Sequence, residues 1–237
     1  YITPNQNFVL SGVNSGASQI SANTGRSFTF AGIKLITGTT NDDRTVISPR
    51  RGNTELNAGI NSSAFASVLF GTENKIEYSA AISTSGNIAD SSFWSGLKLT
   101  ETGVYATDAN QAYFLYSAAD DQGALTTNGN LHFVYSIANV DYVTNLGMVV
   151  EANTVYRIKI VFDENRQISI SVNNIKYGLT TTPTSTTAGG LTQSVATTKS
   201  LAMTNDIDLL PFTGIQTLTT SSKGMQIGYI KLSRDLY

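Results

Sequence analysis

TVYRIKIVFDENRQISISVNNIKY, Thr154 to Tyr177, places Tyr156, Ile158, Ile160 and Phe162 at every second residue, with Arg157 and Lys159 between them. Successive side chains of a β-strand point to opposite faces, so this spacing predicts one apolar face and one wet face. After the polar tetrapeptide Asp163-Glu164-Asn165-Arg166 the alternation resumes, with Ile168, Ile170 and Val172 set against Ser169, Ser171 and Asn173. Two such runs joined by a short polar linker predict an antiparallel hairpin. Asn173-Asn174 predicts a second turn, because Asn accepts the left-handed backbone that tight turns require.

Working outward, the same period recurs in both directions. Lys75 to Ser83 sets Ile76, Tyr78, Ala80 and Ile82 against Lys75, Glu77 and Ser79. Further strands are predicted at Ala64 to Phe70, at Phe93 to Leu99 (FWSGLKL), and at the aromatic-rich QAYFLYS (Gln111 to Ser117) and LHFVYSI (Leu131 to Ile137). Short strands are expected at Met148 to Val150, Ile207 to Phe212 and Gly214 to Leu218. In the last segment Met225 and Ile227 share one phase and Ile230 and Leu232 the other, so Gly228 marks a bulge. The Thr-rich, nearly uncharged stretch from Thr180 to Ser200 reads as a surface loop, since few of its side chains bury enough area to offset ordering. Residues 1–52 alternate short apolar pieces (Phe8 to Leu10, Phe28 to Phe30, Ile33 to Ile36) with Gly, Ser and Asn, which predicts an extended arm carrying local strands.

The composition agrees. The 237 residues are 41% hydrophobic and only 14% charged, so polarity comes mainly from Ser, Thr, Asn and Gly, the residues of strands and turns rather than of exposed helices. More than ten short strands and no fixed repeat period predict an all-β chain, a two-sheet antiparallel jelly-roll sandwich with an extended N-terminal arm. The expected division is 1–63 for the arm or a small β subregion and 64–237 for the jelly roll. A net charge of −2 without a basic run in the linear sequence argues against nucleic acid, whose binding draws on neutralised phosphates. No apolar run approaches the length of a membrane-spanning helix, so membrane insertion is not expected. The absence of Cys excludes disulfides and thiolate metal sites. A start at Tyr1, without the charged and apolar regions of a signal peptide, reads as a processed chain or a fragment.

Several pieces together resemble the concanavalin A-like jelly rolls, in particular the laminin-G-like domains of tailed-phage virion proteins. They are KIEYSAAIS, SSFWSGLKLT, DANQAYFLYS, LHFVYSIANVDYVTNLGMVVEANTVYRIKIVFD, NRQISISVNN and MQIGYIKLS. The resemblance runs from about Lys75 to Arg234 and centres on the hairpin from Thr154 to Asn174. It implies glycan recognition, glycan hydrolysis or a structural place on a virus particle.

Hydrolysis on this fold needs a nucleophile and a general acid on one strand face about 5 Å apart. No Glu-x-Asp-x-x-Glu triplet occurs; Glu73 and Glu77 have Lys75 between them, and Glu101 has no paired acid nearby. His132, the sole histidine, lies in phase with Val134 and reads as a packed position, leaving neither a serine triad nor a second imidazole for zinc. The chain is therefore expected to be non-enzymatic and without a cofactor. Calcium is the one metal with candidate ligands: Asp120, Asp121, Asn128 and Asn130 share a loop, and Asp141 and Asn145 lie in another. Asp and Asn are equally the ordinary residues of turns.

A sugar platform needs an exposed aromatic ring beside amides or carboxylates. Trp94 reads as buried between sheets, which leaves Tyr105, Tyr142 and Tyr177, all near turns, as platform candidates. Asp42, Asp43, Arg44, Arg50 and Arg51 surround Pro49 in a mixed-charge loop, the expected assembly contacts. The leading expectation is thus a virion structural protein, a capsid decoration protein or fibre-like appendage subunit of a bacteriophage. It would be a homo-oligomer joined to other virion proteins on the particle surface. The alternative is a lectin-like carbohydrate-binding module for host-surface glycans.

Overall fold

The computed structural model describes residues 32–48, 71–99, 108–119, 128–183 and 199–235, and the backbone alone of 8–13, 25–27 and 49. Fourteen strands form here: β1 (Phe8–Val13), β2 (Gly25–Ser27), β3 (Gly32–Ile36), β4 (Arg44–Pro49), β5 (Ile76–Thr84), β6 (Ser91–Lys98), β7 (Gln111–Ser117), β8 (Asn130–Ile137), β9 (Val140–Val149), β10 (Val155–Phe162), β11 (Ile168–Val172), β12 (Ile175–Tyr177), β13 (Leu210–Thr217) and β14 (Gly224–Arg234). No helix occurs among the described residues.

The strands pair into two antiparallel sheets of seven. Sheet A has the order β1-β4-β13-β6-β7-β8-β9 and sheet B the order β12-β11-β10-β5-β14-β3-β2. In each sheet one outermost strand, β1 or β2, is described by its backbone only. The two sheets pack face to face as a jelly-roll sandwich.

The alternation read from the sequence is what builds the core. Tyr156, Ile158, Ile160 and Phe162 of β10, Ile168, Ile170 and Val172 of β11, and Ile76, Tyr78, Ala80 and Ile82 of β5 all enter one cluster from sheet B. Sheet A answers with Phe93 and Leu97, Ala112, Phe114 and Tyr116, and Leu131, Phe133 and Tyr135. Each large side chain buried in this way contributes about 1.5–3 kcal/mol. Asn173 and Asn174, with φ of 50° and 67°, form the two-residue turn between β11 and β12, as their chemistry predicts. Ala138 and Asn139 do the same between β8 and β9, with φ of 49° and 68°.

Three expectations change. Residues 32–49 do not form an arm: β4 pairs with β13 in sheet A, and β3 pairs with β14 in sheet B. Leu35, Val46 and Ile47 are buried there, which is why these strands belong inside the sandwich. The expected boundary at residue 63 and the strand at Ala64 to Phe70 lie outside the described residues. β9 runs for ten residues rather than three, and β13 is one strand where two short ones were expected.

The bulge at Gly228 forms where the sequence places it. Ile227 pairs with Ile82 and Tyr229 with Ala81, so Gly228 is the extra residue in the ladder. Met225 and Ile227 point into the core before it, and Ile230 and Leu232 after it. Gly32 permits this geometry, because a Cβ there would stand 1.9 Å from the Ile227 carbonyl oxygen.

Candidate functional site

The two outer faces of the sandwich differ in kind. On sheet A the side chains that alternate with the core are buried as well. Val46, Trp94, Tyr113, Leu115, Val134, Val143 and Phe212 form a second apolar cluster. Trp94 is fully buried, as expected, but on this outer face rather than between the sheets. Its ring stacks on Phe212 at 5.8 Å.

Polar groups share this closed face. Lys98 Nζ lies 3.8 Å from Asp108 Oδ2, with both side chains almost fully buried, and 4.8 Å above the Phe212 ring. Burial pushes the Lys98 ammonium down to about 8, and Asp108 acts against that shift. Gln111 Nε2 donates to Ser136 Oγ at 2.8 Å, and Ser136 Oγ donates to Asp141 Oδ1. Burial raises the Asp141 carboxyl, opposed by the Ser136 hydrogen bond. Tyr113 is raised well above its ordinary value, first by burial and then by Asp141 and Asp108. His132 is fully buried, its Nδ1 3.0 Å from the Asn130 carbonyl, the packed position that its phase with Val134 predicts. With Trp94, Lys98, Asp108, Gln111, Tyr113, His132 and Ser136 closed to solvent and Asp141 half-buried at its margin, the face works as a second, partly polar core.

The expected site residues are mostly engaged within the chain. Asp43 is buried and its Oδ2 accepts from the Thr40 N–H at 2.9 Å. Asp42 Oδ1 accepts from Gln216 Nε2 at 2.8 Å, while Arg44 Nε donates to Gln216 Oε1 at 2.7 Å. The Asp42 and Arg44 side chains therefore fasten the β3–β4 turn to β13, while Asp43 closes the turn itself; Arg50 and Arg51 lie outside the described residues. Of the calcium candidates, Asn130 Nδ2 donates to Asn145 Oδ1 at 3.1 Å, and Asn145 Oδ1 also accepts the Gly147 N–H at 2.8 Å. Asp120 and Asp121 are outside the described residues, and among those that are described no three His, Cys, Asp or Glu side chains converge on a metal position.

Among the tyrosine candidates, Tyr105 is not among the described residues. Tyr142 is only 7% exposed and stacks on Tyr135 at 4.6 Å, so it is a core residue, not a platform. Tyr177 packs at the margin of the core, where burial raises its phenol. Among the described residues the exposed ring is Tyr229, at 45%. The signal for it was in the sequence: a bulge at Gly228 reverses the phase of β14 and sends Tyr229 and Lys231 outward.

The outer face of sheet B carries exposed side chains around the buried Ser79 and Ala81 of β5, and the strand register fixes what lies on it. Arg157, Ala81 and Tyr229 are successive partners across β10, β5 and β14. In the neighbouring row Lys176, Ser171, Lys159, Ser79 and Lys231 are successive partners across β12, β11, β10, β5 and β14. The next row contains Ser169, Val161, Glu77 and Ser233. Glu77 Oε2 lies 2.7 Å from Lys159 Nζ, which ties two of the rows together. This flat field of hydroxyls, ammonium groups and one exposed phenol ring is the best candidate for a binding surface.

No protein-family model matches the chain, and no curated protein matches it. Solved structures do align over nearly its whole length. A glycoside hydrolase family 16 endo-glucanase from Bacteroides ovatus is 11% identical with a TM-score of 0.53, over 97% of this chain and 95% of that one. The carbohydrate recognition domain of Emp46p, in its potassium-bound form, is 7% identical with a TM-score of 0.51, over 95% and 87%. An alginate lyase from Corynebacterium sp. is 9% identical with a TM-score of 0.51, over 97% and 95%.

The fold of these structures is the two-sheet antiparallel jelly roll described above. The solved structures that share it thus include a hydrolase, a lyase and a carbohydrate recognition domain. Among the described residues no helix is long and apolar enough to cross a membrane.

Proposed function

We propose that this jelly roll is a carbohydrate-binding module that acts without catalysis, and that its sugar lies on the outer face of sheet B. The observation that carries the reading is Tyr229, an exposed ring on a flat strand surface, in register across Ala81 with Arg157 and beside the row that holds Lys159 and Ser171. A pyranose ring offers an apolar C–H face to an aromatic ring and hydroxyls to polar neighbours, and this surface presents both kinds of group. The Emp46p neighbour is a carbohydrate-recognition domain, and the endo-glucanase and alginate lyase carry names of carbohydrate-active enzymes, which supports the same reading. The non-catalytic part rests on the face itself. Among the described residues Glu77 is its single carboxylate, held by Lys159, whereas glycoside cleavage uses two acids across the bond.

The test is a glycan array probed with the whole chain, with and without a calcium chelator, followed by titration of the hits. Saturable binding insensitive to the chelator is expected, with Tyr229→Ala weakening it at least tenfold at an unchanged melting temperature. Absence of any glycan binding, or full binding by Tyr229→Ala, would refute the reading. Release of reducing ends or unsaturated products would refute its non-catalytic part.

A second reading, a virion structural subunit, is favoured by the outermost strands. Ile175 on β12 is 59% exposed and Val149 on β9 is 66% exposed, apolar groups placed where another subunit would cover them. Concentration-dependent association in sedimentation, abolished by Ile175→Lys, is its expected signature.

A further inference from the structure

Resting on the carbohydrate reading, we infer that the ligand of the sheet B face is an acidic polysaccharide, its anionic groups seated along the row Lys176, Lys159, Lys231. The row is a product of strand pairing. Lys176 faces Ser171, Ser171 faces Lys159, Lys159 faces Ser79, and Ser79 faces Lys231, each as a direct partner. Cations thus recur on every second strand, with a hydroxyl between them. Neighbouring strands lie about 4.8 Å apart, so successive lysines stand about 9–10 Å apart along a line of roughly 19 Å.

That spacing is close to the advance of two linked pyranose rings in an extended chain. A linear polymer running across the strands, with a carboxylate on alternate sugars, would meet one ammonium per repeat, with the Ser171 hydroxyl between the first two and the buried Ser79 between the second pair. Tyr229 and Arg157 flank the row on one side, supplying a ring for a sugar face and one more cation. Lys34, opposite Gln226, adds a further cation on the same face.

Charge selects this occupant. Arg157, Lys159, Lys176, Lys231 and Lys34 share the face with one carboxylate, Glu77, although the chain as a whole carries a net charge of −2. Glu77 pairs with Lys159, while Lys176, Lys231, Lys34 and Arg157 form no ion pair among the described residues. Lysines guarding a sheet edge account for β12, but Lys159 and Lys231 sit on interior strands. Ammonium groups act as point charges, each weak alone, so a polymer engaging several at once gains by multivalency.

The probes are uronate oligomers (galacturonate, mannuronate–guluronate and glucuronate-containing chains), each paired with its fully methyl-esterified, uncharged form and titrated at low and high salt. At least one acidic oligomer is expected to bind tenfold or more tightly than its ester, with affinity falling as salt screens the charges. K176Q/K231Q should lose that preference while keeping ester binding, and Tyr229→Ala should weaken both. Equal binding of acid and ester overturns the charge inference and leaves the carbohydrate reading standing; no binding by either, with Tyr229→Ala silent, removes that reading as well. Unchanged acid binding by K176Q/K231Q overturns the assignment to this row. Inorganic polyphosphate or DNA binding as tightly as the acidic oligomer overturns it too, by making the face a general polyanion surface.

Discussion

Gly214 and Trp94 are direct partners across the β13–β6 ladder, and a Cβ on Gly214 would stand 2.6 Å from Cζ2 of the indole and 3.0 Å from Val46 Cγ2. The indole ring is rigid and fully buried against Phe212, so it has no room to give. Gly214→Ala is therefore expected to destabilise the chain by about 1–3 kcal/mol, read as a lower denaturant midpoint. An unchanged midpoint would show that the outer layer on sheet A is loosely packed.

The Lys98–Asp108 pair sets a pH dependence. Burial lowers Lys98 to about 8 in the folded chain, well below its ordinary value, so between about pH 8 and 10 the unfolded chain holds a proton that the folded one has released. Stability rises with pH wherever the unfolded state binds more protons, so Lys98 contributes a rising slope in that window. Above pH 10 the sign reverses, because burial raises Tyr78 and Tyr135 to about 12 and the unfolded tyrosines ionise first. Denaturant midpoints from pH 7 to 11 should pass through a maximum near pH 10, and Lys98→Met should flatten the rising limb.

In the core, Tyr78 Oη lies 2.7 Å from Ser95 Oγ and 3.1 Å from Thr213 Oγ1, and those two hydroxyls are 2.9 Å from each other. Removing the phenol oxygen leaves the remaining pair still bonded. Tyr78→Phe is expected to cost only about 1 kcal/mol, the net worth of an ordinary hydrogen bond. A double-mutant cycle with Ser95→Ala should give a coupling of the same size, and an additive cycle would show that the three hydroxyls do not act together.

Asp163 organises the turn between β10 and β11: Oδ1 accepts the N–H groups of Asn165 and Gln167 at 2.9 Å each, and Oδ2 lies 2.5 Å from Lys199 Nζ. Burial alone would raise this carboxyl, but Lys199 and the two backbone donors outweigh it and hold it below its ordinary value. The stabilisation is present above about pH 4 and is lost as pH falls through the depressed folded value. The difference in stability between the native chain and Asp163→Asn should therefore shrink as pH drops from 5 to 2, measured by urea midpoints.

Where one face of a strand is dry and the other wet, the structure was legible from spacing alone. β10 and β11 are such strands, and their inward residues are those the period names; β5 keeps its predicted inward residues although Ser79 and Ala81 on its other face are buried as well. β6 reads as buried at every position, so alternation carried no information about which face Trp94 takes. β9 was underestimated because, as an edge strand with polar and apolar residues mixed, it has little period to detect. β3 and β4 read as an arm because β14 and β13, the strands that join them to the rest of the sheets, lie more than 160 residues away, beyond the reach of local pattern. The candidate site divides in the same way. Tyr229 follows from the bulge at Gly228, whereas the lysine row joins residues 159, 176 and 231 that only register brings into line.

The order of strands also bears on how the nascent chain leaves the ribosome. β4 reaches the remainder of sheet A only through β13, and β3 reaches the remainder of sheet B only through β14. Until β13 and β14 have emerged, β4 can pair only with β1 and β3 only with β2, and it is those two later strands that join both pairs to the rest of the sandwich.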